Sequence, residues 1–288
     1  MKWIYSVLLV LLAFAGTPGS AQWEKRLDPA VPRTRDGKLD LAARPPRARD
    51  GKVDLSGVWR PLPDPTGTPQ NVENLVVPRY FIDVMADLKP GDVPIQPWAM
   101  ALLKERVDAH GKLSPSSRCQ PTGVPAAATV PLPWKIIQTP QVIVILYEEN
   151  NIFRQIFLDG RPLPKDPDSR WMGYSVGRWE GDTLVVDSSG FRDGGWLDRM
   201  GHPHSSDLHL IERFRRLDMG RLEIDVMIND PKAYGQPFTY TLRQTLIPDQ
   251  DRPVRILLHR KREGRRALQI VCFVSEENRL PKLGHHFE

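Results

Sequence analysis

From residue 134 onward apolar and polar positions alternate with a period of two, in short runs broken by turn-forming residues. The segments 134–139, 142–149 and 152–158 are rich in branched and aromatic residues, which suit a pleated, half-buried surface. Thr139-Pro140-Gln141 and Asn150-Asn151 separate them as hairpin turns. Strands are predicted next at 174–179 and 183–187 around the tight turn Glu180-Gly181-Asp182, then at 208–216, 221–229, 239–247, 254–261 and 268–275. Upstream, DLSGVWR at 54–60 forms a first strand with Leu55, Gly57 and Trp59 on one face. Helical spacing occurs at 96–111, where Trp98, Leu102, Leu103 and Val107 repeat, Gly111 can end the helix and His110 sits at its C-terminal end.

About ten or eleven short strands with turn signals between them give a mainly β chain. The gaps after residue 134 are short enough to join spatial neighbours, which favours an antiparallel up-and-down barrel over a Greek-key sandwich; the architecture so expected resembles the lipocalin- or calycin-like barrels. One N-terminal helix and long Pro-rich loops at 61–95 and 114–133 complete it; in the first loop only 76–85 is apolar enough to be ordered. A Gly-x-Trp such as Gly57-Val58-Trp59 is seen on the first strand of lipocalin-like barrels, where the Trp plugs one end. No second composition shift follows residue 134, so 54–288 is expected to be a single domain.

The start of the chain adds a compartment. Lys2 precedes a short apolar run, and Gly19, Ser20 and Ala21 follow it, the layout of a secretory signal peptide over 1–21. A membrane anchor is the alternative, but the apolar run is short for a span. Residues 22–53 are Pro- and Arg-rich and repeat RTRDGKLDL as RARDGKVDL. They read as an extended arm wrapping the domain or as an unstructured linker.

The net charge is +5 for 288 residues. Basic residues are interleaved with acids, which argues against a nucleic-acid binder; RKREGRR at 260–266 reads as a solvated hairpin tip. After removal of the leader no integral membrane segment remains in the sequence. Cys119 and Cys272 either pair in an oxidising compartment or stay as buried thiols.

Candidate chemistry gathers between 193 and 216. In LHLIERFRR, Leu208, Leu210, Glu212 and Phe214 share one face and His209, Ile211, Arg213 and Arg215 the other. If the first face points inward, Glu212 either meets an inward cation such as Arg154 or Arg178 or has a raised pKa suited to acid/base work. Just upstream, GHPHSSDLH holds His202, His204 and His209, with Asp193 and Asp198 before it. His204 with Glu212 or Asp193 forms an acid/base pair; the plainer reading is that these histidines cap a hairpin. Imidazole and carboxylate also ligate zinc, copper or iron, but His-Pro-His is no zinc spacing by itself and no metal ligands are assigned. The segment FRDGGWLDRMG can form a loop over a barrel mouth, where such barrels bind ligands. Gly173-Tyr174-Ser175-Val176-Gly177 fits the letters of a nucleophile elbow, but it lies in a strand pattern with no helix after it.

Several longer stretches carry a resemblance. DGKVDLSGVW at 50–59, CQPTGVP at 119–125, KIIQTPQVIVILYE at 135–148, FRQIFLDGRPLPKDPDSRWMGYSVGRWEGDTLVVDSSGF from Phe153, WLDRMGHPHSSDLHLIERFRR from Trp196 and NDPKAYGQPFT from Asn229 resemble a family of uncharacterised secreted bacterial proteins. The family's EYVCNEN-like ending has LQIVCFVSEEN at 268–278 in its place, after an unusual basic insertion. The resemblance implies secretion and a β-rich single domain, and no reaction or cofactor. The functional expectation is a periplasmic or secreted barrel binding a small, partly apolar or ring-containing molecule, with Trp59, Trp179, Trp196, Asp198, His202, His209 and Phe214 at the site. The alternatives are acid/base chemistry (hydration, elimination or isomerisation) by His204, Glu212 and Asp193, a metal-dependent enzyme using the histidines, or a scaffold whose Pro-rich arm docks a partner.

Overall fold

A computed structural model describes residues 28–62, 81–85, 88–89, 92 and 95–248. The expected leader at 1–21, the basic stretch at 260–266, the strands at 254–261 and 268–275 and Cys272 lie outside the described residues.

Among the described residues nine strands close a barrel in sequential order: β1 (Gly57–Pro61), β2 (Trp134–Gln138), β3 (Val142–Tyr147), β4 (Phe153–Phe157), β5 (Tyr174–Glu180), β6 (Thr183–Ser189), β7 (His209–Arg216), β8 (Arg221–Asn229) and β9 (Phe238–Ile247). Every pair is antiparallel except β4 and β5, which run parallel through Ile156↔Ser175 and Phe157↔Val176. Strictly antiparallel closure is a correction, and the reason is geometric: a ring of alternating directions needs an even number of strands, so nine force a parallel pair. The Pro-rich stretch 158–173 makes this possible, since it has to return along the barrel before β5 begins.

Alternation within each strand sorts side chains as the sequence indicates. In β7, Leu210, Glu212, Phe214 and Arg216 are buried, while His209, Ile211, Arg213 and Arg215 are half-exposed. Trp59, Trp134, Ile145, Ile156, Leu184, Phe214 and Ile224 share the interior core. The outer faces of β5 to β9 carry ion pairs, among them Arg213–Glu180 (2.7 Å) and Arg215–Asp225 (2.7 Å).

One end of the barrel is closed by residues 28–56. The tandem repeat forms two small hairpins, with bridges Arg33↔Leu39 and Arg47↔Val53 and Gly37 and Gly51 at φ near +80°, a conformation open mainly to glycine. Residues 28–53 thus run through successive turns. Arg47 reaches Asp182 at the β5–β6 turn through two hydrogen bonds of 2.9 and 2.8 Å, and the amides of Met219 and Gly220 donate to the carbonyls of Ala43 and Leu41. Trp59 is fully buried at this end; its Nε1 donates to the Leu55 carbonyl. Arg216 lies 4.9 Å from its ring and donates to the carbonyls of Asp54, Ser56 and Met219.

The other end is covered by the β6–β7 and β8–β9 connections, residues 81–85 and helix α1 (Pro97–Asp108). The helix is shorter than predicted and its buried face is shifted, keeping Leu103 but not Trp98. Ala99, Leu103 and Arg106 are buried, whereas Trp98 is 44% exposed and uses Nε1 on the Lys232 carbonyl. The apolar spacing misplaced the face because its buried member is an arginine whose stem packs while its head finds carbonyls. Among the described residues no helix is long and apolar enough to cross a membrane.

Candidate functional site: a polar layer inside the barrel

The inward positions of β4, β5, β6 and β7 place Arg154, Ser175, Ser188 and Glu212 in one buried group. Arg154 Nη1 donates to Glu212 Oε1 at 2.9 Å, and its Nη2 holds Glu212 Oε2. Nε donates to Ser175 Oγ at 3.0 Å, Nη2 to Ser188 Oγ at 2.8 Å, and the two hydroxyls are 2.9 Å apart. A bidentate, charge-assisted pair of this kind fixes both side chains. Burial works against the Arg154 charge, but the Glu212 carboxylate outweighs it and holds the guanidinium above its usual range. Tyr147 joins the group through Arg154, and burial pushes its phenol up to about 12. Ser175, the serine of the elbow-like letters, is thereby a partner of Arg154 within β5.

Beside this group, and further along the inward face of β9, are buried polar atoms with no partner among the described residues. They are the Tyr240 hydroxyl, both the Oε1 and Nε2 of Gln244, and Trp134 Nε1, on side chains no more than 2% exposed. Tyr240 and Gln244 sit on the inward face of β9 with Phe238, Leu242 and Leu246. Burial, then Glu212 and Asp198, drive the Tyr240 phenol well above its usual range. Trp134 stacks on Tyr147 at 6.0 Å and 30°. Buried polar groups are nearly always bonded, so these atoms mark where the interior departs from a purely structural core.

Toward the covered end is a second cluster. Asp198 organises the loop around itself: Oδ1 accepts from the amides of Met200 (2.9 Å), Gly201 (3.1 Å) and His202 (3.3 Å), and Oδ2 from Val84 (3.1 Å) and from His202 Nδ1 (2.7 Å). Asp83 Oδ1 is 3.9 Å from the same Nδ1, and His202 Nε2 is buried without a partner among the described residues. Burial alone would lower the imidazole's pKa, but Asp198, helped by Asp83, raises it above 6.5. Asp198 is held below the usual 3.8 despite burial, chiefly by His202 and then by the amides. Arg106 donates to the carbonyls of Gly201, Gly195 and Gly194 and lies 5.0 Å from the Trp196 ring; burial lowers its pKa to about 10.

Asp83, Asp198 and His202 present ligand atoms within 4.8 Å of one another, the spacing of a possible metal site. The details describe a hydrogen-bonded charge cluster instead. Two ligands of one tetrahedral ion stand roughly 3.3 Å apart at the usual bond lengths, while the 2.7 Å between Nδ1 and Oδ2 is a hydrogen bond. Asp198 already accepts five N–H groups, and His202 and Arg106 supply positive charge for both carboxylates.

The remaining sequence candidates are dispersed. His204 is buried, donates from Nδ1 to the Ser205 carbonyl (3.0 Å), stands edge-on to Phe191 and packs on Gly195; burial lowers its pKa, which keeps it neutral. Glu212 is bonded to Arg154, so His204 and Glu212 are each engaged elsewhere. Asp193 is exposed and accepts from the Ser206 amide. His209 is half-buried on the outer face and faces Asp187 Oδ1 at 2.5 Å. Trp59 and Phe214 belong to the core, Trp179 packs against it, and Trp196 is buried beneath Arg106. Cys119 is disulfide-bonded.

Scans of protein-family models and searches of curated proteins and of solved structures find no match to this chain.

Proposed function

We propose that the chain is an exported β-barrel that binds a small, partly apolar, ring-containing molecule in its interior. One observation carries the reading: Trp134, Tyr240 and Gln244, all buried, present donors and an acceptor to the interior without a partner among the described residues. Leaving such an atom unbonded costs about 1–3 kcal/mol, and leucine or phenylalanine would fill the same positions without that cost. A guest that hydrogen-bonds there removes the penalty and gains apolar contact with the aliphatic lining. Export is supported by the leader-like start and by the disulfide at Cys119, since disulfides persist in oxidising compartments.

The test is native mass spectrometry of the exported protein and its Gln244→Leu variant. A stoichiometric small molecule on the wild type that is lost or reduced on the variant is the expected result. Wild type and variant both at bare protein mass would remove the reading. Acid/base chemistry on the same guest is the second reading, favoured by the His202–Asp198 pair and by a His202 Nε2 with no partner among the described residues. It requires that His202→Gln abolish turnover of the retained molecule without releasing it.

A further inference from the structure

The same interior also restricts the chemistry of its guest, an inference that rests on the binding reading above. Gln244 is fully buried, and both ends of its side-chain amide lack partners among the described residues. A primary amide offers an acceptor and donors side by side in one plane. Its best complement is a second planar edge with a donor next to an acceptor, which satisfies Oε1 and Nε2 together through two parallel hydrogen bonds. A lone hydroxyl or a carbonyl alone leaves one of the two atoms unbonded, at nearly the original cost.

Trp134 adds a further donor beside an aromatic wall. The registers Gln244↔Pro61, Leu246↔Trp59 and Trp59↔Trp134 set Gln244 and Trp134 on the inward faces of β9 and β2, on either side of β1. Trp134 is stacked on Tyr147, so a flat ring entering from Gln244 meets flat neighbours, an arrangement that aromatic groups favour.

Charge supplies the last restriction. Two buried cations face this part of the interior and both are already engaged: Glu212 takes Arg154 in a bidentate pair, and Arg216, in register with Gln244 through Leu222, donates to the carbonyls of Asp54, Ser56 and Met219. A charged guest would therefore arrive without a counter-ion in a site where desolvation is severe. We propose that the barrel selects an uncharged planar ring bearing a cyclic-amide edge, its N–H and C=O paired with the Gln244 amide and its ring lying on the Trp134 side of the interior.

The experiment uses three probes on the full exported chain, freed of any retained molecule: 2-pyridone, N-methyl-2-pyridone and benzoate, titrated calorimetrically. 2-Pyridone is expected to bind, with N-methyl-2-pyridone and benzoate each at least roughly tenfold weaker, a difference of about 1.4 kcal/mol. Gln244→Leu is expected to weaken 2-pyridone by a similar factor while its own melting temperature stays equal to or above wild type, because it removes two unbonded buried atoms. Trp134→Phe keeps the ring, deletes Nε1 and serves as a second variant should the first fail to fold; it too is expected to weaken 2-pyridone. Equal binding of N-methyl-2-pyridone overturns the cyclic-amide edge, and preference for benzoate overturns the requirement for neutrality. If no pyridone binds but native mass spectrometry shows a Gln244-dependent guest, the ligand class is wrong and the binding reading stands. If neither is seen, both fall.

Discussion

Replacing Glu212 by Gln probes the interior layer most sharply. The substitution keeps shape and volume but removes the charge facing Arg154, and its amide turns N–H donors toward a guanidinium that only donates. Removing one partner of a buried ion pair costs about 3–5 kcal/mol because the other charge is left uncompensated. Here Arg154 retains Ser175, Ser188 and Tyr147, which places the expected loss at the lower end, about 3 kcal/mol. For a domain of this size that lowers the melting temperature by roughly 6–12 °C. Urea unfolding followed by tryptophan fluorescence measures it directly. The companion variant, Arg154→Met with Glu212→Leu, removes both charges and leaves Ser175 and Ser188 bonded to each other, so it is expected to be more stable than Glu212→Gln alone. A Glu212→Gln protein within about 0.5 kcal/mol of wild type, with effects adding independently in the double variant, would refute the assignment of this pair as a buried, mutually dependent unit.

Three other outcomes follow from the same geometry. His202 has a raised pKa and Asp198 a lowered one, so the pair's contribution is present between the ordinary Asp and His values. It is lost as pH falls through the folded Asp198 value or rises through the folded His202 value; the stability gap between wild type and His202→Gln should therefore be widest near about pH 5–6 and narrow on both sides, as read by unfolding across pH. Gly195→Ala should destabilise by about 1–3 kcal/mol, since its Cβ would meet the His204 ring, and the loss should shrink when His204 is also Ala. Arg216→Met should loosen the arm-covered end by removing donors to Asp54, Ser56 and Met219, seen as faster amide exchange across residues 28–56.

Much of the barrel was legible because period-two alternation is a local signal. It set the strands from Trp134 to Ile247 and turned Glu212 inward, toward Arg154, one of the two arginines the strand pattern offers as partners. The parallel seam was not legible, because strand direction depends on how many strands close the ring. The buried face of helix α1 was shifted because Arg106 buries its stem, and a hydrophobic pattern scores arginine as outward. For the site, the density of histidines drew attention to His204 and His209, which the fold uses against a backbone carbonyl and an outer-face aspartate. Asp83 came from a Pro-rich stretch far from the loop it meets, with no local mark. Tyr240 and Gln244 did leave a signal: they share the β9 face with Phe238, Leu242 and Leu246, and the alternation of the strand itself shows two polar side chains in an apolar register.

The most direct test of the central claim is an electron-density map of the exported protein purified without displacing ligands. A bound guest requires non-protein density inside the barrel within hydrogen-bonding distance of the Gln244 amide and of at least one of the Tyr240 hydroxyl and Trp134 Nε1. An interior in which those atoms close on one another, or meet only isolated waters, would contradict the claim.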